Sequence, residues 1–214
     1  MTYLDLVNNV LRRLRETEVS SVPQSTYSVM VGDFINDAKT VVEQAWQWST
    51  LRTTLTVPTV ASTTTYVLTG FGDAATFTGA VNDTSNAVLE YRPKRWIEEQ
   101  IYVGGGASGS PKYYTFAGVD SNGDAQVQVY PTPDAVYSLR FDTVLQQGEL
   151  TDGTDVLLIP HMPVLHLALA LLARERGENQ GSTAQEYFVV ADNYLTDAIA
   201  YDAARHPEET VWYS

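Results

Sequence analysis

The 214-residue chain reads as an α+β protein, a discontinuous four-helix bundle with an inserted antiparallel β domain of sandwich or barrel type. Three observations predict this. The apolar repeat has a period near 3.6 to about residue 50, near 2 from 51 to 150, and near 3.6 again to 206. The two helical stretches, one at each end, are each too short to bury their own apolar stripes, so the economical arrangement packs them together. Hydrophobic content of 44 % is enough for one substantial core or two small ones. The expected division is 1–50 with 153–206 as the helical part, 51–152 as the β part, and 207–214 as a tail.

Residues 2–18 predict the first helix. Thr2 and Asp5 have capping-box spacing, and Tyr3, Leu6, Val7, Val10, Leu11 and Leu14 fall on one face. Arg12 and Glu16 lie opposite, four residues apart. After "SSVPQS", residues 25–48 predict a longer helix of about 36 Å, with Val31, Phe34, Ile35, Ala38, Val42, Ala45 and Trp48 as its stripe. Six strand-like runs follow, "TTLTV", "TTTYVL", "NAVLEYR", "KYYTFAGV", "AQVQVYP" and "VYSLRFDTV", divided by Gly, Pro, Asn and Asp. A short helical insertion, "PKRWIEEQIYV", crosses this region. Residues 160–176 predict a third helix, "GENQGS" a turn, and 183–206 a fourth helix, stopped by Pro207.

Composition excludes several functions. With no cysteine there is no disulfide, thiolate metal site or cysteine nucleophile, which fits synthesis in a reducing cytoplasm. "MTYLDLVNNVLRRLRE" places charges where a signal peptide needs its apolar core, and no run of roughly 20 apolar residues is present to span a membrane. A net charge of −13 argues against a surface that grips nucleic acid. Much of that charge lies between Asp142 and Glu209. It serves either solubility alone or a surface past which DNA slides without adhering.

The stretch "PHMPVLHLALALLARERGENQGS" holds His161 and His166, about 140° apart around a helix, so they do not share a metal ion. His206, before Pro207, suits a structural place at a helix end. The run Val164–Ala173 is half the length of a membrane span, so protein must cover it, either as an ordinary core helix or with help from a neighbouring subunit. "GGGASG" matches the dinucleotide pattern letter by letter but leads into a strand, so it reads as a loop. "DSNGD" reads as a hairpin rather than a calcium loop. No pair of the 26 acids stands out for glycoside chemistry, no Gly-x-Ser-x-Gly elbow is present, and nothing calls for a cofactor. Trp46 and Trp48, where the second helix meets the β region, are expected to pack the joint. Val211, Trp212 and Tyr213 lie on a polar tail and read either as anchors for a partner's pocket or as a tail folded back on its own helices.

The capped first helix, "EQAWQWSTLR" at the end of the second, the inserted β region, "DVLLIPHMPVLHLALALLARE" and "YFVVADNYLTDAIAYDA" together resemble the head-to-tail adaptors of tailed bacteriophages, in particular the tail tubular protein A type of short-tailed phages. The resemblance implies a non-enzymatic virion protein, made in the host cytoplasm. It would form a ring of about twelve copies under the portal, with β domains toward a tail nozzle or tail tube protein, around a channel for genomic DNA that is not specifically bound. On that resemblance helices one, two and four are expected to make the ring contacts, with Arg12, Glu16, Leu165, Leu169 and Leu172 at the subunit interface. Glu186 and Asp197 would face the lumen, and Val211, Trp212 and Tyr213 the portal. The rival reading is a cell-wall hydrolase or carbohydrate-binding tail component presenting Trp96, Tyr102, Tyr113 and Tyr114 to a glycan. A third, an all-helical connector of long-tailed phages, conflicts with the six strand-like segments.

Overall fold

The computed structural model describes residues 1–72, 75–177 and 182–205. The chain is α+β and divides into a helical unit, Met1–Leu51 with Gln147–Ser214, and a β unit, Arg52–Gln146.

Helix α1 (Tyr3–Arg13) starts at the expected capping box: Thr2 Oγ1 accepts from Asp5 N–H and Asp5 accepts from Thr2 N–H, both at 3.2 Å. Its buried face is Tyr3, Leu6, Val7, Val10 and Leu11. The helix ends earlier than the expected residue 18, because the chain turns through Arg15 at φ 61. Arg12 and Glu16 therefore do not pair. Arg12 reaches Glu18 at 3.3 Å, and Glu16 accepts from Arg176 at 2.7 Å.

Helix α2 (Thr26–Ala45) is capped by Ser25 and Ser28 and stops short of Trp48, since Trp46 is already extended at φ −153. Gly32 is required here: a Cβ at that position would collide with the Tyr3 ring, so the missing side chain lets α1 lie close on α2. Lys39 and Glu43, one turn apart, are both buried and paired at 3.2 Å, and Lys39 Nζ also donates to Gln147 O at 2.6 Å. Burial pushes the Glu43 carboxyl above its ordinary range even against the Lys39 charge.

Residues 147–152, grouped with the β region by sequence, fold with the helices because α2 holds them. Asn36 donates to Leu150 O at 3.1 Å and accepts from Leu150 N–H at 3.0 Å. Beyond them, Tyr3 N–H donates to Asp155 O at 2.8 Å and Leu157 N–H to Met1 O at 3.1 Å.

Helix α4 (His161–Glu175) packs against α5 (Ser182–Ala203), α2 and α1. Val164, Leu165, Ala168, Leu169, Ala170, Leu172 and Ala173 are all buried inside one copy of the chain. Leu167 and Leu171, in the same run, are half-buried, so one copy covers most of this helix but not all of it.

Among the described residues the β unit holds eight strands, β1 (Arg52–Pro58), β2 (Thr65–Leu68), β3 (Thr76–Asn82), β4 (Ala87–Val88), β5 (Glu90–Tyr91), β6 (Tyr113–Val119), β7 (Ala125–Tyr130) and β8 (Ser138–Val144). They form two four-stranded sheets, β1-β8-β3-β4 and β2-β7-β6-β5. All pairs are antiparallel except the two-residue pair β5–β6, which is parallel. Strand β3 is not among the six expected. Its sequence TFTGAVN lacks a regular alternation, and its pairing with β8 shifts between Phe77 and Gly79. "NAVLEYR" splits into β4 and β5. The helical insertion is α3 (Lys94–Glu98) followed by a π-helical turn, Glu99–Val103. Leu68, Val127, Val129, Leu139 and Phe141 are fully buried, and Phe77 meets Tyr114 and Phe141 edge to face.

Candidate interaction site

Between the start of α4 and the last turns of α5 lies a cleft of about 460 Å³. Pro160 and Pro163 shape one wall; both sit at or before the first turn of α4, where a missing N–H costs the helix nothing. Ile159, Met162 and Ala198 supply apolar surface, while Tyr194, Tyr201, His161, Asp197 and Arg205 stand around it. Tyr201 is 78 % exposed.

The base is fixed by Asp202. Its Oδ1 accepts from Ser49 Oγ at 2.5 Å, and its Oδ2 from Ser49 N–H at 2.9 Å and Trp46 Nε1 at 3.0 Å. Burial pushes the Asp202 carboxyl up, but the hydrogen bonds from Ser49 and Trp46 and the Arg205 charge outweigh it and hold the group below its usual value. A carboxylate so occupied is a poor acid or base; it ties α5 to the segment after α2. Trp48 is buried and donates to Val42 O at 2.9 Å. Both tryptophans thus serve the helical unit. Asp202 carried no local sequence signal, because its partners lie over 150 residues away.

His166 is a structural residue too. Its Nε2 lies 3.0 Å from Arg13 Nη1, which can only donate, so the imidazole accepts there and is neutral. The ring stacks on Tyr194 with centroids 4.7 Å apart. Burial, and then the Arg13 charge, lower its pKa. His161 is exposed at the cleft, and the structure does not bring it to His166. Among the described residues, no three His, Cys, Asp or Glu side chains group so as to hold a metal ion, and no helix is long and apolar enough to cross a membrane.

The expected subunit-interface residues fare unequally. Leu165, Leu169 and Leu172 are core, with Leu169 1 % exposed, and Glu16 is engaged by Arg176, which also covers the Tyr27 ring. Arg12 remains exposed. Instead, apolar side chains that sequence periodicity did not single out stand in solvent on a lone chain: Val29 and Val41 on α2, and Val189, Val190 and Tyr201 on α5. Glu186 and Asp197 are exposed, about 20° apart around α5, and share that face with Val190 and Tyr201. His206 and the portal candidates Val211, Trp212 and Tyr213 lie outside the described residues.

The four rings read as a glycan platform are differently placed. Tyr114 belongs to the β core, whereas Tyr102 is exposed. Trp96 and Tyr113 meet each other edge to face at 5.0 Å, with Arg92 placed over both rings. Gly104–Gly109 is a loop, with positive φ at Gly105, Gly106 and Gly109, and Asp120–Asp124 closes the β6–β7 hairpin.

The family model described as SU10 adaptor protein matches residues 1–210. No curated protein matches the chain.

Proposed function

The chain belongs to the SU10 adaptor protein family, the head-to-tail adaptors of phages, and on that premise we propose that it is a non-enzymatic ring component joining the portal to the tail around the DNA channel. The observation that carries this reading is the apolar surface that a single copy leaves on α2 and α5, with Val41 and Val189 each 54 % exposed. On this reading the helical unit is a bundle whose core is complete in one chain. Ring contacts then fall to outward side chains, Val29, Val41, Val189 and Val190, together with the exposed Arg12 of α1. Closure of about twelve copies multiplies each modest contact, at roughly 25 cal/mol per Å² of apolar surface buried less the cost of ordering.

Glu186 and Asp197, which share the α5 face with Val190, are assigned to the channel-side edge of that contact, where carboxylates repel a phosphate backbone and let it slide. Val211, Trp212 and Tyr213 are assigned to the portal, and the β unit to a tail nozzle or tail tube protein. The test is to mix the purified chain with its portal and examine the product by sedimentation and electron microscopy. A collar of adaptor on portal is expected. Val190→Asp, made at an exposed position, should leave the monomer folded and abolish the collar; a collar that survives it removes α5 from the ring contact, and no complex with the unaltered chain sinks the reading.

A further inference from the structure

We infer that part of the ring contact is a helix laid in a groove: α2 of one copy, through Asp37, Val41 and Gln44, packs between α4 and α5 of the next, with Asp37 paired to Arg174. The inference rests on the ring reading given above and names two surfaces that meet.

The groove exists because α5 is sparsely covered. Among the described residues α4 is the one helix on which α5 packs closely, and of the α5 side chains described only Ala191 and Asp202 are buried. Along one flank of α4, the half-buried Leu167 and Leu171 and the exposed Arg174 stand at i, i+4 and i+7. Along one flank of α5, the half-buried Phe188, Leu195 and Ile199 stand at i, i+7 and i+11. The Arg174 guanidinium lies 5.7 Å over the Phe188 ring, so the two flanks border one groove.

A second copy is the occupant because the chain carries the matching surface. On α2, Met30, Phe34, Asp37, Val41 and Gln44 follow at intervals of four, three, four and three, the spacing of a helix seam. The first four each stand one residue before a buried side chain, yet Val41 is 54 % exposed and Met30 and Phe34 are only half-buried.

Charge sets the register. Among the described residues Asp37 has no cation partner and Arg174 no carboxylate partner. In one chain α2 runs antiparallel to α4: Tyr27, near its start, lies under Arg176 at the end of α4, and Trp46, past its end, meets Asp202 in the cleft at the start of α4. A turn of about 30° between members of a ring of about twelve leaves the neighbour's α2 antiparallel to α4 as well. Asp37 opposite Arg174 then brings Val41 to Leu171 and Gln44 to Leu167, because both rows span seven residues. Asp192, the other charge on this rim, falls one turn beyond Phe188 along α5, at the level of Val41, where α2 presents no charge of its own. Two different surfaces meet, so the contact is head to tail and closes a ring rather than a twofold dimer.

The chain has no cysteine, so disulfide trapping reads the contact directly. Val41→Cys and Leu171→Cys are made in separate full-length chains, mixed in equal amounts, assembled on portal and oxidised gently; any cross-link then joins two copies. These two chains are expected to cross-link at least about tenfold faster than Val41→Cys with itself, or than Val41→Cys mixed with Ala200→Cys on the outward side of α5, reflecting the local concentration that a fixed contact creates. Comparable rates overturn the inference, and so does faster closure of Val41→Cys with itself, the mark of a twofold contact. Without added cysteine, Asp37→Lys and Arg174→Asp, both at exposed positions, should each lower the yield of collar on portal about tenfold, because like charges then face each other at every contact. Combined in one chain they should restore it to within about twofold of the parent. Single variants that assemble as well as the parent, or a double variant no better than either, also overturn the inference. If the unaltered chain forms no collar, the ring reading itself fails; a collar without the preferred cross-link sinks this contact alone and leaves the ring standing.

Discussion

In the helical unit the specific polar contacts join the two ends of the chain, whereas the β unit closes on aromatic rings drawn from one continuous stretch. Asn36 meets Leu150, Lys39 meets Gln147, Arg13 meets His166, and Trp46 and Ser49 meet Asp202. Phe71, Phe77, Tyr114 and Phe141 pack on one another in the β unit. A unit assembled from two chain pieces must close a long loop before its core forms, and apolar burial alone does not say which pieces pair. Hydrogen bonds that are costly to leave unmade supply that choice. The β unit, whose strands follow one another closely, needs fewer such markers.

The sharpest way to break this comparison is at Lys39. Lys39→Met strands the buried Glu43 carboxylate and is expected to destabilise the chain by about 3 to 5 kcal/mol, read as a lower denaturation midpoint. Adding Glu43→Leu should recover most of the loss, because an apolar pair needs no solvation. If Lys39→Met costs no more than an exposed lysine would, the pair is not a buried specificity contact.

Leu169→Ala follows in size. With Leu169 1 % exposed in one copy, the substitution should cost about 2 to 5 kcal/mol, and equally at low and high protein concentration. A loss that shrinks on dilution would return Leu169 to a contact between copies. Native-state hydrogen exchange should show the lost protection first in α2 and α4.

How much of this was legible in the sequence depended on whether the cause was local. The Thr2–Asp5 cap, the β6–β7 hairpin at Asn122-Gly123 and the loop character of Gly104–Gly109 are set by neighbours within a few residues, and the sequence displays them. The end of α2 was overrun because apolar spacing continues to Trp48 after the backbone has turned at Trp46, and that of α1 because its stripe runs up to the cap residue Leu14 and the turn at Arg15 carries no apolar signal. The apolar run of α4 was visible, but not what covers it: periodicity reports that a face is buried and is silent on the identity of the neighbour. Val189 and Val190 were not singled out in the sequence, because an apolar residue in a helical stretch carries no mark of whether its own chain covers it. The Asp202 node and the cleft above it, made by residues from three separated segments, had no local signature.

The smallest effect expected, and the one that most directly weighs a single long-range contact, is at His166. Its folded pKa is lowered, by burial first and then by Arg13, so the native state keeps the imidazole neutral where the unfolded chain would bind a proton. Stability should therefore be intact above the unfolded value of about 6.5 and decline as pH falls from there toward the lower folded pKa, since the unfolded state takes up protons that the native state refuses. His166→Phe retains a ring to stack on Tyr194 and removes the titration. The expected outcome is a flatter stability profile between about pH 5 and 7, measured by denaturant unfolding at fixed ionic strength. An unchanged slope would assign the acid sensitivity to other groups and reduce the Arg13–His166 contact to packing alone.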